Sequence, residues 1–203
     1  MEMPKLLTEV ELTTKFKKDE IDDDTIGHIL DAASHVPSAG NLQPWKFIVV
    51  KDEDLKEKLS KAALNLNFIK TAPAVIVICG DVERAYSKYS VRGEKLYVVQ
   101  DIAFSSLMVY LACRSLGLGC YLVRAFEEEE VIDMLEIPDG VRPFAIIPIG
   151  HPESKGESVN INPFEDVTFI DKYGSVVDKS LFYSETMSLE EKFRKMAEKR
   201  KKK

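Results

Sequence analysis

Between Leu96 and Leu116 the chain is apolar around nearly the whole of a helical cylinder, with Val98, Val99, Ile102, Phe104, Leu107, Met108, Val109 and Leu111 pointing in every direction. A helix that is apolar all round has to be buried on all sides. In a chain of 203 residues, one domain or one domain plus an extension, such burial asks for a second subunit against one face. Gly117 and Gly119 stop the helix.

The other elements arrange themselves around this one. Ile26, Ile29, Leu30 and Ala33 fall at helical spacing behind the acids Asp22–Asp24, and Pro37 ends that helix. Further helices read at Leu55–Leu64 and Glu127–Leu135, and strands at Phe47–Val50, Ala74–Cys79, Cys120–Val123 and Ala145–Ile149. Gly80–Glu94 is polar, carries Tyr86 and Tyr89, and reads as a surface loop. Strands and helices mix without strict alternation, which favours an α+β fold over a doubly wound sheet. Residues 153–180 are irregular, and Ser188–Lys203 reads as a helix with a capping box from Ser188 to Glu191. The expected organisation is one domain over residues 1–180 and a C-terminal helical extension with a basic tail over residues 181–203. The Lys199–Lys203 run is read as a solvated end.

Composition narrows the functions. Hydrophobic residues make up 45%, enough for a sizeable core, and a net charge of −6 argues against a nucleic-acid binder. Ala72–Cys79 and Phe144–Ile149 are far shorter than the ~20 residues that span a bilayer. Met1–Glu11 carries acids and no apolar core of a signal peptide, so no membrane role and a cytoplasmic location are expected. Cys79, Cys113 and Cys120 have no metal or redox spacing, and His28, His35 and His151 are scattered, so no metal is expected.

The segment that points to chemistry is Pro37-Ser38-Ala39-Gly40-Asn41-Leu42-Gln43-Pro44-Trp45, ahead of the apolar Phe47–Val50. Two prolines restrict its backbone, and Gly40 adopts conformations closed to other residues. Ser38, Asn41 and Gln43 offer hydroxyl and amide groups suited to a polar heterocycle or a sugar chain. Two readings stand: a binding loop, or a helix–strand turn that satisfies its own backbone.

The loop resembles the signature of the nitroreductase family of FMN-dependent oxidoreductases, in which Pro-Ser-x-x-Asn-x-Gln-Pro-Trp precedes an apolar strand. The likeness extends from about Asp31 to Pro152. Thr71-Ala72-Pro73-Ala74-Val75-Ile76-Val77 is similar to the family's second strand, and Gln100-Asp101 with the long apolar helix and Gly117-Leu118-Gly119 resembles its dimer helix. Ile137-Pro138 and Ile149-Gly150-His151-Pro152 are similar to its closing segments.

The resemblance implies a central, mostly antiparallel sheet flanked by helices in an intertwined homodimer, with two FMN sites at the interface. It implies ping-pong hydride transfer from NAD(P)H to a small-molecule electron acceptor such as a nitroaromatic or a quinone. No catalytic side chain is needed, because the flavin carries the chemistry. Pro37 and Ser38 would approach the flavin ring and ribityl chain, Asn41 of the partner subunit would hydrogen-bond it, and Gln43 would support the loop. Val123, Arg124 and Ala125 would present backbone N–H groups to the ring. Tyr86 and Tyr89 are either an aromatic wall over the flavin or ordinary surface tyrosines.

Two departures from the family concern the FMN phosphate. The family's Arg-Ser-x-Arg-like stretch is replaced by Glu11-Leu12-Thr13-Thr14-Lys15-Phe16, where a one-residue deletion puts Thr13 and Lys15 in the hydroxyl and cationic roles. The later basic position is absent from Ser158–Pro163, and Lys155 is the nearest cation. Arg124 stands where the family commonly has glycine, and either reaches the phosphate or pairs with the Glu127–Glu130 run. These losses motivate an alternative: a homodimer of the same fold that binds flavin, a related cofactor or another ligand without turning over NAD(P)H.

Overall fold

The computed structural model describes residues 6–7, 9–175 and 191. It divides into two compact units, residues 11–157 and, separately, the described residues among 2–10 and 158–203. The first unit contains, in chain order, β1 (Glu11–Leu12), α1 (Asp23–Ser34), β2 (Trp45–Val50), α2 (Glu53–Ala62), α3 (Asn67–Thr71), β3 (Ala74–Asp81), α4 (Val82–Arg92), α5 (Val98–Ser115), β4 (Gly119–Cys120), α6 (Glu128–Leu135) and β5 (Val141–Gly150).

Its sheet runs β2-β3-β5-β4 with every pairing antiparallel. β3 is buried along all but its last residue, as expected of a β-branched run covered on both faces. Alternation sends Ala74, Ile76 and Ile78 into one core with Ile29 of α1, Trp45 and Ile102 and Val109 of α5. Val75, Val77 and Cys79 enter the other, with Leu59 of α2, Ile69 of α3, Val131 of α6 and Ile146. Aspartates start the helices: Asp22, Asp52 and Asp81 accept the N–H groups of Thr25, Leu55 and Arg84 at 2.7, 2.9 and 2.9 Å.

One expectation needs correcting. Gly80–Glu94 is not a loop. β3 continues to Asp81, whose side chain caps α4, and Val82 and Ala85 bury the inner face of that helix. α4 is interrupted at Ser90 (φ 54°, ψ −150°) and passes through a π-turn at Gly93–Tyr97 into α5. Within a single chain α5 leaves part of its apolar surface exposed. Its inner face includes polar Asp101, Ser105, Ser106 and Arg114, while Val99, Phe104 and Leu107 are 44%, 48% and 51% exposed. Among the described residues, the helical run Val82–Ser115 is also long and apolar enough by composition to cross a membrane, a length the strand stretches did not reach. Part of that run is core, since nine residues of α5 are buried in the protein.

In the second unit the Val159 N–H donates to the Val10 carbonyl at 3.4 Å. A 3-10 turn at Phe164–Val167 is closed by the Thr168 hydroxyl on the Phe164 carbonyl at 2.6 Å, and the Phe169 and Tyr173 rings lie 4.5 Å apart. The helix expected over Ser188–Lys203 lies outside the described residues except for Glu191, which is helical.

Candidate functional site

The turn between α1 and β2 is bonded internally and from outside. Gly40, Asn41 and Gln43 all take left-handed backbone conformations, with φ of 51°, 56° and 51°. For a glutamine this costs about 1–2 kcal/mol, so the neighbours must enforce it. The Gln43 N–H donates to the Ser38 hydroxyl oxygen at 3.0 Å, and the Gln43 side-chain amide donates to Asn41 Oδ1 at 2.8 Å. From α4, Lys88 Nζ donates to the Gly40 carbonyl at 2.8 Å. A Cβ at Gly40 would collide with the Tyr89 hydroxyl, so only glycine lets α4 lie this close. From α5, the carboxylate of Asp101 accepts the Ala39 N–H at 3.1 and 3.2 Å. Burial pushes the Asp101 carboxyl above the usual carboxylate range, and the Ala39 N–H opposes that shift.

The two readings of this loop are therefore not exclusive. Its groups satisfy one another, yet the Asn41 side-chain N–H groups and the Ser38 O–H have no protein partner among the described residues. Pro37, Asn41 and Gln43 are exposed. Tyr89 packs edge-on to Tyr97 with centroids 5.2 Å apart, and Tyr86 is half exposed, so α4 presents tyrosines beside the turn.

A second group collects at the start of the chain. Thr13 is buried, donates its N–H to the Cys120 carbonyl at 3.0 Å and packs against Gly119. Lys15 is exposed, and its carbonyl accepts the Glu153 N–H at 3.1 Å. Thr13, Lys15 and Lys155 line one cavity of 110 Å³ with Ser154, Gly156 and the acidic Glu157. Thr13 and Lys155 also line a second recess of 320 Å³ with Glu11, Arg114 and Gly119. None of Pro37, Ser38, Asn41 and Gln43 lines either one.

Glu11 pairs with Arg114 at 3.1 Å and with Lys155 at 3.4 Å. Arg114 is 4% exposed and donates to the Tyr110 hydroxyl at 2.9 Å. Sequence reading missed Arg114, whose one signal was a cation in the last turn of an otherwise apolar helix. It also missed a 740 Å³ recess edged by Lys15, Lys18, Lys56 and Lys70. Lys56 is buried there, donating to the Ala72 carbonyl and to Glu53, both at 2.8 Å.

The third group is divided by the structure. Val123 is buried and exchanges both backbone hydrogen bonds with Ile146 at 2.9 Å, so its N–H is already committed. Arg124 and Ala125 are exposed, and their N–H groups have no partner among the described residues. Arg124 forms no ion pair there either. Glu128, from the acidic run that might have held it, is gripped by Arg142 at 2.6 and 2.8 Å, which lowers the Glu128 carboxyl and raises the guanidinium.

The three cysteines are buried and free. Burial pushes the Cys79 thiol up to about 12, and the hydrogen bond that the Cys113 thiol makes to Cys120, together with burial, pushes Cys113 up as well. Neither Cys79 nor Cys113 can act as a thiolate nucleophile at neutral pH. No group of three or more His, Cys, Asp or Glu side chains suited to a metal ion occurs among the described residues.

The Nitroreductase family model matches residues 13–99 and 62–151 of the chain. A protein of Archaeoglobus fulgidus, whose assigned name joins NADH dehydrogenase with NAD(P)H nitroreductase, is 34% identical over 140 residues, covering 67% of this chain and 77% of that one. The FMN reductase [NAD(P)H] of Bacillus subtilis is 26% identical over 185 residues, covering 85% and 74%. Among solved structures, B. megaterium NfrA2 superposes with a TM-score of 0.78 at 24% identity over 86% of this chain and 76% of its own, a likeness of fold.

Proposed function

The chain belongs to the nitroreductase family, and from that premise we propose that it is an FMN-dependent NAD(P)H oxidoreductase working by ping-pong exchange with a nitroaromatic, a quinone or a similar acceptor. The observation that carries this reading is the meeting of Thr13, Lys15 and Lys155 around one cavity, although Lys155 is far away in sequence. A hydroxyl and two cations are a donor set suited to a phosphate dianion.

When bound, FMN supplies the hydride chemistry, accepting from NAD(P)H and donating to the second substrate. Lys15 and Lys155 would neutralise its phosphate, with Thr13 donating a hydrogen bond. Asn41 and Ser38 would orient its polar edge with the donors their turn leaves unspent. The Arg124 and Ala125 N–H groups would meet the ring as fixed donors that need no reorganisation, and the unpaired Arg124 guanidinium would favour negative charge there. The remaining demand is positioning, which this loop-and-recess arrangement supports.

We further infer that two copies of the chain complete the site. The loop residues line neither recess of their own chain, and the helix that tethers the loop offers Val99, Phe104 and Leu107 to solvent. Neighbouring apolar side chains of this kind mark a protein–protein interface. A cytoplasmic location accords with three free thiols.

The test is optical. Purified protein should be yellow and bleach on anaerobic addition of NADH or NADPH. Colourless protein that FMN cannot reconstitute overturns the reading, and yellow protein that neither nucleotide bleaches favours the flavin-binding alternative without turnover.

A further inference from the structure

We propose that Asp101 is the positioning residue of the turn Ala39–Gln43, so that the same helix that offers its apolar face to a second copy also sets the cofactor loop. This rests on reading that loop as part of the flavin site. Asp101 is 3% exposed, and both of its oxygens lean on a single donor, the Ala39 N–H, 62 residues away in the chain. It has no other partner among the described residues. A carboxylate offers about four acceptor sites, and burying one with a single donor disfavours the fold. An apolar side chain of similar size would fill the place at less cost, so the acid has a use other than stability.

That use is visible in what it holds. Three left-handed residues follow Ala39 within four positions, and such a turn persists only where its surroundings over-determine it. The other tethers, from Lys88, Ser38 and the Gln43–Asn41 pair, are exposed to solvent, where hydrogen bonds compete with water. The Asp101 tether is part-buried, its carboxylate withdrawn from water. A second α5 contact, the buried Ser105 hydroxyl on the Ala33 carbonyl at 2.9 Å, fixes the chain just before the turn. α5 therefore grips the backbone on both sides of Pro37.

Asp101→Asn keeps one neutral acceptor for the Ala39 N–H, and Asp101→Leu keeps the volume with none. Three quantities are read: amide hydrogen exchange at Ala39 in FMN-free protein, FMN affinity by quenching of flavin fluorescence, and the melting temperature of FMN-free protein. Ala39 should be protected in the parent. Its exchange should quicken and FMN affinity fall together, about 3- to 10-fold in Asp101→Asn and about 10- to 100-fold in Asp101→Leu.

The melting temperature of Asp101→Leu should stay level or rise, because a buried charge has gone; a residue serving only the fold would lower it. An unprotected Ala39 in the parent overturns the proposal, as does parent-like FMN affinity in either variant. Should Asp101→Leu fail to fold, the Asp101→Asn step decides alone. A parent that binds no FMN defeats the functional reading instead, while the Ala39 exchange still reports on the tether.

Discussion

In the proposed phosphate site Lys15 and Lys155 take the place of the bidentate arginine that best meets a dianion, so each would contribute as a point charge. Lys15→Ala or Lys155→Ala should weaken FMN binding about tenfold, flatten its salt dependence and leave riboflavin affinity unchanged, as followed by fluorescence titration of both flavins. The hydroxyl and cationic roles proposed for Thr13 and Lys15 come from the resemblance. The embrace of Glu11 by Arg114 and Lys155 does not, since it joins residues from opposite ends of the domain. Arg124 leaves two readings open: it forms no ion pair among the described residues, and Glu128 of the neighbouring acidic run is held by Arg142. That pair also carries a pH signature. The Glu128 carboxyl is lowered, so its contribution, about 0.5–1 kcal/mol for a partly exposed pair, is present above the usual glutamate range and lost as pH falls through the lowered value. Melting curves of parent and Glu128→Gln should therefore differ at pH 7 and converge in acid. Native protein should also resist a thiol reagent at pH 8 and yield 3 thiols on denaturation, because the Cys79 thiol sits at about 12 and all three cysteines are buried.

α4 shows how an element hides in a sequence. Most of its outward residues are polar, Val91 excepted, and only Val82 and Ala85 are buried, so periodicity is faint and the segment reads as loop. The Asp81 cap and packing against the first core make it a helix. Its break at Ser90 places a serine in backbone territory that is nearly glycine-only. Ser90→Gly should raise stability by about 1 kcal/mol, readable as a higher melting temperature with unchanged far-ultraviolet dichroism. The strands were legible because continuous β-branched runs declare themselves, whereas their ends shifted: β5 extends to Val141–Gly150, longer than the apolar run alone. α5 was legible as a helix, and its inside was not. Asp101, Ser105 and Arg114 face inward because each finds a partner there, on Ala39, Ala33 and Glu11.

Across the whole molecule, the apolar outer stripe of α5 is the feature a single chain leaves unfinished. Leu107→Glu should give a folded species of half the dimer's mass by light scattering, with much reduced FMN retention, since Leu107 is half exposed within its own chain. A dimer that survives this change would put the interface elsewhere. The α+β class, the sheet strands and the proline-bracketed loop could be read from the chain alone, because hydrophobic periodicity and turn chemistry act between near neighbours. Which polar groups stay free to bind, and which are used up by the fold, was settled only in three dimensions. Val123 lost its N–H to Ile146, Arg142 took Glu128, and Ala39 found Asp101, because hydrogen bonds and ion pairs are short-ranged and their partners come from segments that only folding brings together.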